Sequence, residues 1–152
     1  MTFSEACEAL VKQFESLQLT AYQCPAGIWT IGWGHTAGVQ QGDQITAQQA
    51  QALISQDLTS TANDLSAILP ATVSLTQGQF DALTSLAFNI GGGARALPHK
   101  APKLWADLLA GSTQAAAAQF LDIDHALVNG TPVELPGLKA RRQAEATMFL
   151  AS

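Results

Sequence analysis

The chain has 152 residues, of which 47% are hydrophobic and 12% charged, with a formal net charge of −5. This is enough chain for one domain with a real core. No apolar run reaches the ~18 residues that cross a bilayer, which argues against membrane insertion, and the acidic balance argues against nucleic acid, whose binders carry a basic patch.

The N-terminus reads Thr2, Phe3, Ser4, Glu5, with no basic region ahead of an apolar stretch. A secretory signal is therefore not expected, and the protein should accumulate in the cytoplasm. The two cysteines, Cys7 and Cys24, are expected as free thiols in a reducing compartment. Cys7 lies eight residues before Glu15, ~12 Å back along a helix axis. A bridge needs Cα atoms within ~7 Å, so none is expected with a Cys24 that sits beside Glu15.

Phe3, Cys7, Leu10, Val11 and Phe14 recur at spacings of three and four, one face of a helix ending near Glu15 and Ser16. Thr2 and Glu5 have the spacing of a capping box at its start. Over 18–36 the character changes. Tyr22, Trp29, Thr30, Ile31 and Trp33 favour strands, and Pro25, Gly27, Gly32 and Gly34 punctuate them. A two- or three-stranded antiparallel sheet with a tight turn near Pro25–Gly27 is predicted.

Thr46 with Gln49 opens a long helix that buries Ala50, Leu53, Ile54, Leu58, Leu65 and Ile68 and stops at Pro70. Thr76 with Gln79 opens another, with Phe80, Leu83, Leu86, Ala87 and Ile90 inward and Gly91 at its end. Pro102 and Gly111 bracket a short helix containing Leu104, Trp105, Leu108 and Leu109. Residues 113–121 form an alanine-rich helix. Asn129-Gly130 marks a hairpin between Leu127-Val128 and Val133. A last helix over about 137–150 offers Leu138, Met148 and Phe149 to the core.

The fold class is therefore α+β: a small antiparallel-sheet lobe after the first helix, a larger helical lobe, and a cleft between them. We expect one domain over 1–152, with the small lobe at about 16–60 and the helical lobe made of 1–15 and about 61–152. The basic residues fall in two groups, Arg95, Lys100 and Lys103, then Lys139, Arg141 and Arg142. They read either as a local positive groove or as solvated faces.

The segment from Phe14 to Thr36, FESLQLTAYQCPAGIWTIGWGHT, carries a Glu, eight residues, a Cys, five residues and a Thr. This spacing of Glu15, Cys24 and Thr30, with Gly32, Gly34 and His35 following, resembles the signature of the phage lysozyme family, glycoside hydrolase family 24. Residues 75–91, LTQGQFDALTSLAFNIG, are similar to that family's central helix, and residues 136–149, PGLKARRQAEATMF, to its C-terminal helix. The resemblance thus runs through nearly the whole chain. It implies a lysozyme-like fold and a peptidoglycan-degrading endolysin that cuts the β-1,4 bond between N-acetylmuramic acid and N-acetylglucosamine. Neither cofactor nor metal is implied, and Asp122, Asp124 and His125 read as loop residues rather than as a metal cluster.

By the same resemblance Glu15 is the catalytic acid, Cys24 and Thr30 complete the catalytic set, Arg141 orients Glu15, His35 makes a supporting hydrogen bond, and Phe88 and Asn89 line the cleft. The chemistry agrees. Glycoside cleavage needs a proton donor at the leaving oxygen and a group that activates or positions a water on the other face of the sugar. A glutamate at a helix C-terminus meets the negative end of the dipole, which with burial would raise its pKa, while a nearby arginine pulls the other way. Cys24 stands where many members carry Asp, leaving open whether it acts as base or only positions water. Phe88 reads equally as cleft or core. The implied setting is a monomer in the host bacterial cytoplasm, released to the wall by a separate holin. Lytic transglycosylase chemistry and a catalytically silent glycan-binding module are the alternatives.

Overall fold

The computed structural model describes residues 1–128, 131–134 and 136–151. Helix α1 spans Glu5–Phe14 and is followed by an antiparallel hairpin, β1 (Gln18–Gln23) and β2 (Trp29–Gly32). Then come α2 (Ala47–Ile68), α3 (Gln77–Ile90), a 3-10 turn at Ala94–Ala96, α4 (Leu97–Lys100), α5 (Pro102–Leu109) and α6 (Thr113–Phe120). A second hairpin, β3 (His125–Val128) and β4 (Thr131–Glu134), leads into α7 (Pro136–Leu150). The expected Asn129-Gly130 turn lies outside the described residues, although the strands on either side pair in antiparallel register, Val128 with Thr131 and His125 with Glu134.

Both long helices start where their capping boxes stand. Thr46 and Thr76 accept from the amides of Gln49 and Gln79, whose side chains accept in return from the cap amides. The start of α1 differs from expectation. Its N-cap is Ser4, whose hydroxyl accepts from the Ala6 amide, and Thr2–Glu5 forms no box. The reason is tertiary. Asp81, buried on α3, accepts from the Ser4 amide at 3.0 Å and from its hydroxyl at 2.5 Å, and Gln77 ties the same carboxylate at 2.9 Å.

Helix α3 is the hub. Every residue from Phe80 to Ala87 is buried, with α1, α2 and α7 packed around it. Gly78 permits the close approach of α7: a Cβ there would stand 2.5 Å from the Met148 carbonyl oxygen and 2.9 Å from that of Ala151. The main core joins Leu65, Phe80, Leu83, Leu86, Leu97, Leu104, Phe120 and Phe149. A smaller cluster of Val11, Ile54 and Leu58, with Trp33 and Phe88 against it, lies between α1 and α2. At 22 residues, α2 is ~33 Å long, enough to run past both lobes. The first sheet has two strands, with a bridge from Thr20 to Gln44 on its other edge.

Cys7 is fully buried in α1, its thiol donating to the Asp81 carbonyl at 3.4 Å, and both cysteines are free thiols. Burial, and after it the charge of Asp81, pushes the Cys7 thiol from 9.0 up to about 12. Between those values the native state holds a proton that the unfolded chain has released, so stability is complete below about pH 9 and falls as pH rises toward about 12. The thiol's contribution to that slope approaches about 1.4 kcal/mol per pH unit. Urea denaturation of the wild type and Cys7→Ala across this range should show a shallower alkaline decline in the variant.

Candidate active site

Glu15 is the residue on which α1 ends. Its amide still bonds the Val11 carbonyl at 3.0 Å, but its backbone is already extended, φ −103° and ψ 127°. The turn out of the helix leaves the side chain 24% exposed and pairs it with the buried Arg141, whose Nη1 donates to Glu15 Oε1 at 2.6 Å. Gly34 lies over the other carboxylate oxygen. A Cβ there would stand 3.5 Å from Glu15 Oε2 and 3.7 Å from the Phe88 ring, and its φ of +90° disfavours any side chain.

Arg141 belongs to a chain of charges. Its Nε donates to Glu145 Oε1 at 3.1 Å and its Nη2 to the Ser85 carbonyl at 3.2 Å. Ser85 donates to the same Glu145 oxygen at 2.6 Å, and Arg142 bonds the other one. Burial pushes the Glu145 carboxyl up, against the opposing pull of Arg142 and Arg141. Of the two readings of the basic residues, a positive groove or solvated faces, Arg142 fits neither. It is fully buried, with Glu145 three residues on accepting from its Nη1 and Asn89 on α3 from its Nη2. Arg95 remains exposed, paired with Asp64, and Lys100 caps the end of α3 by donating to the carbonyls of Ile90 and Gly91.

Tyr22 and Thr30 face each other across the hairpin ladder and share one face of the sheet. Cys24, half-buried, opens the turn between the strands. Hydrogen-bond attraction from the backbone of Ile28 above all, then from that of Ala26 and from the Thr30 hydroxyl, outweighs the effect of burial and holds the Cys24 thiol below its ordinary 9.0. Thr30, buried, donates to the Ile28 carbonyl at 3.0 Å, so its single proton has two acceptors in reach. Tyr22, read earlier only as a strand former, feels both Glu15 and Cys24. Partial burial first, then those two charges, raise its phenol. Its signal was available: Tyr22 lies two residues before Cys24 on a period-two strand.

Among the described residues His35 makes no hydrogen bond to Glu15. Its Nδ1 lies 2.8 Å from Asp57 Oδ2 on α2, and its Nε2 3.0 Å from the Ala37 carbonyl. With Gly34, Thr36, Thr61, Phe88 and Gly91 it lines a cleft of about 270 Å³ between the loop after β2, the middle of α2 and the C-terminal end of α3. Phe88 is thus at once cleft wall and an edge of the smaller core. Asn89 turns toward Arg142. If the hairpin backbone and Thr30 favour the thiolate, alkylation of Cys24 by iodoacetamide should reach half-maximal rate below pH 9.0, and Thr30→Val should move that midpoint upward.

Residues 12–145 match the model of the phage lysozyme family. An endolysin of Acyrthosiphon pisum secondary endosymbiont phage 1 is 42% identical over 149 residues, 98% of each chain. The muramidase domain of SpmX from Asticaccaulis excentricus superimposes with a TM-score of 0.87 at 34% identity, over 99% of both chains. The active form of the P1 phage endolysin Lyz gives a TM-score of 0.79 at 28% identity, over 97% of this chain and 84% of that one. The secreted inactive form of the same protein gives only 0.57. The arrangement of this chain is therefore closer to the active form, and on sequence and structure alike the chain belongs to the phage lysozyme family.

Proposed function

We propose that this chain is an endolysin that hydrolyses the β-1,4 bond between N-acetylmuramic acid and N-acetylglucosamine in bacterial peptidoglycan, with Glu15 as the proton donor. The observation that carries the reading is the setting of Glu15. It is a carboxyl at a helix end, fixed by a buried arginine at 2.6 Å and lying against two residues of the cleft wall, Gly34 and Phe88.

Glu15 delivers its proton to the leaving glycosidic oxygen as the bond to the anomeric carbon breaks. Arg141 holds one carboxylate oxygen, so that the other faces the cleft. Cys24 and Thr30 hold a water for attack from the opposite face, and the lowered thiol supports a sulfur that takes the water's proton. Phe88 gives a sugar ring an apolar face to stack on, and Asn89 an amide for an N-acetyl group. His35 works at one remove: its bond to Asp57 ties the loop carrying Gly34 to α2. No helix among the described residues is long and apolar enough to cross a membrane. In this reading the protein works as a monomer on the wall of its host, from a cytoplasmic pool that a separate holin releases.

Clearing of outer-membrane-permeabilised Gram-negative cells tests the reading directly. Glu15→Gln should lower the lytic rate by roughly 10²–10⁴-fold. Cys24→Asp should keep much of the activity and Cys24→Ala little, whereas a fully active Cys24→Ala would remove the sulfur from the mechanism. A wild type that binds walls without clearing cells would be a glycan-binding module. Mass spectrometry should find reducing ends, since anhydro-muropeptides would mean that the muramic 6-hydroxyl, and not water, closes on the anomeric carbon.

A further inference from the structure

Tyr22 has no part in the mechanism above, yet it stands beside the groups that do. It is the chain's single tyrosine, 38% exposed, and its hydroxyl makes no hydrogen bond among the described residues. The ladder fixes where it stands. Tyr22 is the cross-strand partner of Thr30, so the two side chains are neighbours on one face of the hairpin. The pairing runs on past the strand, the Cys24 amide bonding the Ile28 carbonyl at 3.0 Å, and Cys24, two residues along, falls on that same face. The phenol turns toward the site and not away from it, since after burial the charges of Glu15 and Cys24 both raise it.

A hydroxyl donor is what this face otherwise lacks. A water has two protons and two lone pairs, and for attack it must keep one lone pair for the anomeric carbon. Thr30 gives its only proton to the Ile28 carbonyl at 3.0 Å or to the sulfur, so it meets a water as an acceptor. Cys24, which takes the water's proton, is an acceptor too. Both water contacts of the mechanism above therefore accept, and neither can hold the second lone pair. A phenol can. It also keeps its proton at the pH where the sulfur ionises, because Tyr22 is raised from 10.0 while Cys24 is held below 9.0.

We propose that Tyr22 is the third contact of the attacking water, its phenol donating to one lone pair while Thr30 and Cys24 accept the two protons, so that the other lone pair faces the anomeric carbon. This deepens the muramidase reading and rests on it. As the water oxygen bonds the anomeric carbon, one of its protons passes to the Cys24 thiolate and the other stays on the new hydroxyl beside Thr30. The glycosidic oxygen leaves with the proton of Glu15, and both side chains return to their starting states by exchange with solvent. Tyr22 gives up no proton. It orients the nucleophile, and a misoriented nucleophile costs rate more than binding.

Tyr22→Phe removes the hydroxyl and keeps the ring. It should fold as wild type by circular dichroism, lose roughly tenfold in kcat on glycan strands at unchanged KM, and leave the Cys24 alkylation midpoint where it was. Added to Thr30→Val it should cost less than the product of the two single losses, since both side chains hold one water. A rise in KM would make the phenol a sugar contact, and an upward shift of the alkylation midpoint would make it a partner of the sulfur; either overturns the inference. Because Tyr22 is the only tyrosine, protein made with ring-fluorinated tyrosine changes this phenol alone and makes it more acidic. The kcat of that enzyme should fall as its ultraviolet phenolate band rises, at a pH where wild type is still active, because a phenolate cannot donate. A rate indifferent to that ionisation overturns the inference even if Tyr22→Phe fails to fold. A Tyr22→Phe enzyme with full kcat, beside an inactive Glu15→Gln, overturns it and leaves the muramidase reading standing. A wild type inert on glycan strands overturns both.

Discussion

The structure turns on one buried carboxylate. Glu145 has no exposed surface, and burial pushes it toward the neutral form, while two arginines on the same helix pull it back. Such a group is tolerable only with both partners in place, since losing one partner of a buried pair costs about 3–5 kcal/mol, whereas the intact pair adds little net stability. The consequence is positional. Glu145 fixes Arg141, Arg141 fixes Glu15, and the same network reaches α3 through Ser85 and Asn89. A helix near the end of the chain thereby sets the carboxyl on which the first helix ends. Asp81 does the corresponding service at the other end of α1, so α1 is gripped by α3 at its start and by α7 at its finish.

In the proposed mechanism the first hairpin solves a different problem. A thiol with an ordinary pKa of 9.0 is a weak substitute for a carboxylate at neutral pH. The hairpin turn moves it in the useful direction, because hydrogen-bond attraction from the backbone favours the anion for the reason that it favours a carboxylate or phosphate elsewhere. The turn thus supplies from the backbone part of what an aspartate would carry in its side chain. The ladder that pairs Tyr22 with Thr30 keeps the hydroxyl, the phenol and the sulfur on one side of the sheet.

What the sequence conveyed, and what it withheld, divides along sequence distance. The starts of α2 and α3 were legible because each capping box is complete within four residues. The first hairpin was legible from its aromatic and β-branched residues and the turn between them. The start of α1 was not, since the carboxylate that favours Ser4 over Thr2 is 77 residues away. Arg142 was missed for the same reason: basic residues near the chain's end look like a wet surface until Asn89 is folded beneath them. A local hint existed. Glu145 is spaced three and four residues from the two arginines, which places all three charges on one side of α7. The 3-10 turn and α4 after Gly93 left no periodic pattern, being too short to show one.

The two packing clusters also differ in how they hold the cleft. Helices α3 to α7 share an extensive apolar core, so their mutual arrangement is set by dense contacts that resist small displacements. The loop after β2 is held to α1 and α2 by a few apolar side chains around Val11, Ile54 and Leu58 and by polar tethers. Lys12 lies 4.4 Å from the centre of the Trp33 ring and pairs with Glu8 at 2.7 Å, Gln51 joins both, and His35 reaches Asp57. Partly exposed ion pairs of this kind contribute little each, typically ~0–1 kcal/mol. Regions with few buried apolar contacts open at lower free energy than the core. Gly34, which covers Glu15, therefore stands on the more yielding wall of the cleft and Phe88 on the stiffer one, and a glycan that needs room between them gains it from the side that carries Gly34 and not from the helix that carries Asn89.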